Sequence, residues 1–259
     1  MNSLSMTNGF TFERCKQVIR RTFEMNKRTY ALGFGGAFVG LYSIWLLVML
    51  FGFSPEGSET SAMILGVGIL VYHVAGYVLT ATIFSELQSP DSASQLLTLP
   101  ATSGEKLFSS WVITFVLYTF VSFFVLTVLL LLMFVTGDFF IGQSVNLADS
   151  AAATDPLQNT LSYMLFNSVF MLGAVYFRGN NFLKTAFSIL LFFLFLGIQG
   201  IILINLFGSG TMQSFTIRPP IFLQNLEHAA LWFQAIYTLP LTALFLVFSY
   251  FRLKNRQVV

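Results

Sequence analysis

Metal chemistry and covalent catalysis find little to work with in this chain. It holds one cysteine, Cys15, and two histidines, His73 and His228. A single cysteine forms no intramolecular disulfide and no thiolate cluster, and at this position it fits a small packing residue on a helix. The histidines lie on or near opposite halves of the apolar body. No His-Glu-x-x-His or Gly-x-Ser-x-Gly pattern occurs. A phosphate-binding glycine loop is missing too: "GFGG" at 33–36 lies inside an apolar run and lacks the Lys-Ser/Thr that would hold phosphate and magnesium. Charge is equally scarce. Only 9% of the 259 residues are charged, against roughly 25% in soluble domains, and mean hydropathy is +0.76. These absences leave a soluble domain, a nucleic-acid partner and a membrane protease or metalloenzyme without support.

What is present is hydrocarbon. Hydrophobic residues make up 56% of the chain and phenylalanine alone occurs 31 times, more than a water-soluble core absorbs. A membrane-crossing helix needs about 20 apolar residues. Six stretches qualify: 30–53, 62–84, 108–135, 157–177, 182–207 and 229–251. They are free of Asp, Glu, Lys and Arg except for Lys184 in the first turn of the fifth, as the cost of a central charge requires. The fourth and fifth are separated by only a few residues and form a tight helical hairpin. The fold class is therefore all-α integral membrane, with residues 1–29 before a 30–251 transmembrane domain and a basic tail at 252–259.

The basic residues set the orientation. Arg14, Lys16, Arg20, Arg21, Lys27 and Arg28 precede the first span, and Arg252, Lys254 and Arg256 follow the sixth. With Lys106, Arg178 and Lys184, every Lys and Arg except Arg218 falls on one side of a six-span layout, which makes both termini cytoplasmic. The opposite loops carry Glu56, Glu59, Asp138, Asp149, Asp155 and Glu227. The first apolar run is too long for the core of a cleavable leader, so it is expected to stay as an anchor.

Residues 10–28, "FTFERCKQVIRRTFEMNKR", gather Phe12, Cys15, Ile19 and Phe23 near one face, with cations around the others. That composition predicts an amphipathic helix in the cytoplasmic interface, capped by Thr11, whose cations meet membrane lipids. Asp155-Pro156 is a helix start for the fourth span. Within the spans the polar residues His73, Asn167, Gln199 and Asn205 are candidates for a translocation path. Each is equally suited to a helix–helix hydrogen bond.

The most informative stretch is a polar island, "SELQSPDSASQLLTLPATSGEKL", residues 85–107. Ser89-Pro90-Asp91 starts a helix, with a cap, a proline at the first position and an acid where the helix dipole favours it. Ala93, Leu96 and Leu97 share a face at spacing three and four, and Leu99 extends the apolar set. Pro100 ends the helix, and Thr102 to Glu105 is a capping box opening the third span. A short, rigid, cytoplasmic helix with exposed leucines is a docking surface for another protein.

This stretch resembles the segment between spans two and three of ABC-2 type transporter permeases. There an acidic residue and a small-polar stretch precede a Leu-Leu-x-x-Pro element, followed by Ser/Thr and a basic residue. Here these are Glu86, then Gln95 to Pro100, then Thr102 to Lys106. The layout of a basic N-terminal elbow helix, six spans and two cytoplasmic ends is also similar to that family. The chain departs from it at Ala101 and Gly104, where relatives often carry a bulkier residue and Arg, so the basic role falls to Lys106. The resemblance implies that 85–107 is a coupling helix seated on a separate ATP-binding subunit, through Glu86, Ser89, Asp91, Ala93, Leu96, Leu97, Leu99, Pro100, Glu105 and Lys106. It also implies an exporter subunit without catalysis of its own, ATP and Mg held by the partner, and pairing with a second copy or a similar six-span subunit. The bacterial inner membrane would be its site. The alternative reading is a non-transport assembly or sensory module whose 85–107 segment docks a different protein.

Overall fold

A computed structural model of the protein describes residues 10–51, 57–84, 101–141, 155–207 and 227–256, which fold as helices with no strand among them. In chain order these are α1 (Phe12–Leu50), α2 (Gly57–Thr82), α3 (Ser103–Trp111), α4 (Tyr118–Thr136), α5 (Pro156–Tyr176), α6 (Asn181–Phe207) and α7 (Glu227–Arg256). A π-helical segment, Val112–Leu117, joins α3 to α4, and another, Gly137–Ile141, follows α4. Five helical stretches are long and apolar enough to cross a membrane: those of α1, α2, α3 through α4, α6 and α7. This is the build of a multi-pass membrane protein.

α5 occupies the place of the fourth predicted span and has 21 residues. It is less apolar because it carries Asn159, Ser162, Asn167 and Ser168. It packs against α2, α6 and α7, and Asn167, Ser168, Phe170, Met171, Ala174 and Val175 are buried. A helix walled in by protein needs less hydrocarbon on its surface than one facing lipid. α6 is the opposite case: no residue in its apolar window is buried.

Several element ends follow from local sequence. Asp155 caps α5, its Oδ1 accepting from the Leu157 N–H (3.0 Å) and Gln158 N–H (3.2 Å), with Pro156 in the first turn. Between α5 and α6, Gly179 (φ +66°) and Asn180 (φ 49°) take left-handed backbone, which Gly and Asn tolerate best. The Asn181 Nδ2 then donates to the Ala174 carbonyl (3.1 Å). The two helices meet where Gly173 faces Thr185, because a Cβ at Gly173 would overlap that side chain.

α1 differs from expectation in one respect. The basic stretch and the first span form a single helix of 39 residues, since no proline or other strong breaker lies between Arg28 and Ala31. Composition changes there; backbone conformation does not.

Three clusters hold the bundle. Leu41, Trp45 and Met49 of α1 pack on Ile64, Leu129 and Met133. Phe84, Leu107, Met171, Ala174, Val175 and Leu253 pack at the end where the basic residues of α3 and α7 lie, and there the Arg252 guanidinium sits 4.9 Å from the Tyr176 ring centre. Tyr72, Tyr118 and Tyr163 form the third. Where the surroundings are lipid, such packing and interhelical hydrogen bonds carry helix association, because lipid tails are as apolar as leucine.

Candidate functional site

Three features at and below the basic end combine into a candidate site: a carboxylate clamp, a groove and a buried polar centre. The clamp is Glu105, fully buried in the first turn of α3. Its Oε2 accepts from the Thr102 N–H (2.7 Å) and the Thr102 hydroxyl accepts from the Glu105 N–H (3.3 Å), which completes the predicted capping box. Its Oε1 accepts from the Thr11 N–H (2.7 Å), at the start of α1. Thr11 makes no side-chain cap of its own. One carboxylate therefore ties together two helix starts that are 94 positions apart. One turn on, the Ser109 hydroxyl donates to the Cys15 carbonyl (3.2 Å). Glu105 lies before the apolar run that begins at Phe108. Burial raises its pKa, but the Thr102 and Thr11 donors and the Arg14 charge outweigh this and hold the carboxyl below its usual value.

The groove follows from a mismatch in path length. α1 touches α3 at Cys15–Ser109 and touches α4 at Phe34–Tyr118, whose ring centres are 5.7 Å apart. Between those contacts α1 climbs about 28 Å, while the opposed helix gains only about 14 Å. Two helices cannot run side by side through such a stretch. They separate, and a cavity of about 600 Å³ opens between α1, α2 and the α3–α4 rod. Arg21, Thr22, Asn26, Thr82, Lys106 and Ser110 give it polar lining, and the remaining walls are mostly apolar.

The polar centre starts at the π-helical segment. A π-turn interrupts the regular hydrogen-bond ladder and leaves a carbonyl in need of another donor. The Thr114 carbonyl accepts from the Tyr163 hydroxyl (2.6 Å) and from Asn167 Nδ2 (3.4 Å). Asn167 Nδ2 also donates to the Thr80 hydroxyl (2.7 Å), which donates to the Gly76 carbonyl (2.7 Å). The Tyr118 hydroxyl donates to the Tyr72 carbonyl (2.8 Å). Gly76 is required here, because a Cβ would collide with the Tyr163 and Tyr118 rings. Asn167 therefore serves as an interhelical hydrogen bond joining α2, the π-segment and α5.

Of the other predicted site residues, His73 alone is seen to approach this centre, by ring contacts and without a hydrogen bond to Asn167. His73 is half-buried, with Nδ1 2.8 Å from the Ile69 carbonyl of its own helix and its ring against Tyr72, Tyr77 and Tyr163. Gln199 sits on the exposed surface of α6. Asn205 lies in α6 with its side chain outside the described residues, as are Glu86, Ser89, Asp91, Ala93, Leu96, Leu97, Leu99 and Pro100. Of the predicted docking segment 85–107, residues 101–107 are described, and the two docking residues named among them, Glu105 and Lys106, are both buried. No group of three or more metal-ligating side chains occurs among the described residues.

Comparison with known proteins adds nothing to this geometry. No family model, characterised protein or solved structure matches the chain. Sequence reasoning missed the Thr11 N–H, because a backbone donor carries no side-chain signature. It also missed Thr80, Thr114 and Tyr163. The one available hint was the Tyr163–Asn167 pair, which at spacing four shares a helix face.

Proposed function

We propose that this chain is the membrane subunit of an ABC-2 type transporter, an exporter driven by a separate ATP-binding subunit. The observation that carries the reading is the Glu105 clamp. The short helix predicted from sequence within the docking segment 85–107 ends at Pro100, and two residues later the chain enters the capping box. A displacement of that segment would pass at once into two helix starts, those of α1 and α3, because one buried carboxylate holds both. That suits a part that transmits motion from a cytoplasmic motor to the membrane. The one-sided distribution of Lys and Arg supports the same orientation, with the clamp on the cytoplasmic side.

The bare flank of α6 supports pairing with a second copy or a similar six-span subunit. Leu190 through Leu196 are all exposed, and open space surrounds Gly197 and Gly200. Small residues on an apolar helix allow close helix contact in a membrane. The polar Gln199 on that flank would gain a partner there. ATP and Mg would be bound by the partner subunit, which leaves this chain the work of coupling and of forming the path.

The test is purification of tagged chain from its native membrane with mild detergent. A co-purifying Walker-motif ATPase, together with ATP hydrolysis by the complex, is the expected result. Association with a different cytoplasmic protein, and no ATP hydrolysis, would favour an assembly or sensory role.

A further inference from the structure

The groove between α1, α2 and the α3–α4 rod has walls of two kinds. Along α1 from Tyr30 to Leu41, and on α4 at Val125 and Leu126, the lining is apolar and aromatic and holds no charged residue. At the basic end Thr22, Asn26, Thr82 and Ser110 line it. No acidic residue is among the lining residues described, and the two cations there, Arg21 and Lys106, are already engaged by other groups. The hydroxyls at that end are committed too. Thr22 donates to the Val18 carbonyl (3.0 Å) and Thr82 to the Val78 carbonyl (3.0 Å), each on its own helix. A hydroxyl has one hydrogen to give, so these two threonines have only lone pairs left for the cavity. Asn26 Nδ2 donates to the Thr22 carbonyl (3.0 Å), and its amide oxygen is a third acceptor. The Ser110 hydroxyl is buried without a hydrogen bond among the described residues, and it donates or accepts to suit. The cavity of about 600 Å³ lies within the range of roughly 300–1,000 Å³ typical of small-molecule sites.

We infer that this groove binds an uncharged amphiphile with a hydroxyl head, the head donating at Thr22, Asn26 and Thr82 and the hydrocarbon chain lying along Phe34, Phe38 and Leu41. The acceptors fix the head. A carboxylate or phosphate would set lone pairs against lone pairs, and a cationic head would be placed beside Arg21 and Lys106. A ligand of hydrocarbon alone would leave the Ser110 hydroxyl buried without a partner. The ligand enters laterally, because the groove exists only where α1 stands away from α4. The site does not rest on the transporter reading, since binding is read on one copy of this chain without any ATPase.

Native mass spectrometry of the full chain, delipidated and offered monooleoylglycerol, oleate or methyl oleate at equal concentration, tests it. The three share one chain; the first carries hydroxyls, the second a carboxylate and the third neither donor nor charge. Retention of monooleoylglycerol above both others is expected. Thr22→Val and Thr82→Val should each lower that retention roughly two- to tenfold, the worth of one hydrogen bond, and leave methyl oleate as it was. Thr127→Val removes the same kind of back-bonded hydroxyl outside the groove and should change nothing. Gly33→Leu enters the groove where nothing stands within 4 Å of the new Cβ. It should lower retention of monooleoylglycerol while leaving the thermal transition in place. Thr22 and Thr82 lie on different helices, so one variant stays informative where the other fails to fold. Preferred retention of oleate, or equal retention of monooleoylglycerol and methyl oleate, would overturn the proposal. So would a loss as large in Thr127→Val as in Thr22→Val, or unchanged retention in Gly33→Leu.

Discussion

Glu105 does more than its place in a capping box requires. Hydrogen bonds to a buried carboxylate are worth about 1.5–3 kcal/mol each, and its second bond, to Thr11, is the one that joins two elements. Glu105→Gln keeps the shape but turns an NH2 toward one of the two N–H donors. It is expected to lower the thermal transition of the purified protein by the equivalent of about 1.5–3 kcal/mol, whereas Thr102→Ala, which removes only the hydroxyl cap, should cost about 1 kcal/mol. Because the carboxyl is held below its usual pKa, the clamp contributes fully above the ordinary carboxylate range and is lost as pH falls through the lowered value. A second contrast separates two glycines on apolar helices. Gly76→Ala drives a methyl into Tyr163 and Tyr118 and should destabilise by about 1–3 kcal/mol. Gly35→Ala meets nothing and should gain up to about 1 kcal/mol in helix propensity. Thermal unfolding of both variants reads the difference, and equal effects would contradict the close packing at Gly76.

At the scale of elements, what sequence shows is what lies within one turn. The Asp155-Pro156 start, the Thr102–Glu105 box and the tight α5–α6 connection are readable because cap and capped groups are neighbours in the chain. The apolar runs are readable because the membrane requires length. Three other features depend on a distant partner. The π-segment at Val112–Leu117 has no compositional mark, and it survives because Tyr163 and Asn167 on α5 satisfy the carbonyl it frees. The unbroken α1 was hidden by a change from basic to apolar residues that resembles a boundary without breaking a hydrogen bond. The groove arises from the unequal climb of two helices between shared contacts, which no single segment encodes. An element-scale prediction concerns α6. Single cysteines introduced from Leu190 to Ile202 in a Cys15→Ser background should crosslink between copies, or to a similar subunit, with a period of three to four residues. An absence of crosslinks along the whole flank would leave α6 a lipid-facing helix and argue against pairing through it.

For the whole molecule, the account joins a charge-sorted bundle to a docking segment through a single buried carboxylate. The bundle is held by aromatic stacking and interhelical hydrogen bonds, and the basic end gathers the starts of α1 and α3 with the end of α7. The central claim is that the energy comes from a protein seated on residues 85–107. The most direct measurement is capture of the co-purifying ATPase by a Leu96→Asp, Leu97→Asp double variant shown to reach the membrane at normal levels. Burying two leucines is worth roughly 3–6 kcal/mol, and unpaired carboxylates add a desolvation cost, so the account predicts loss of both capture and ATP hydrolysis in the complex. A double variant that captures the ATPase and drives hydrolysis like the unmodified chain would contradict it.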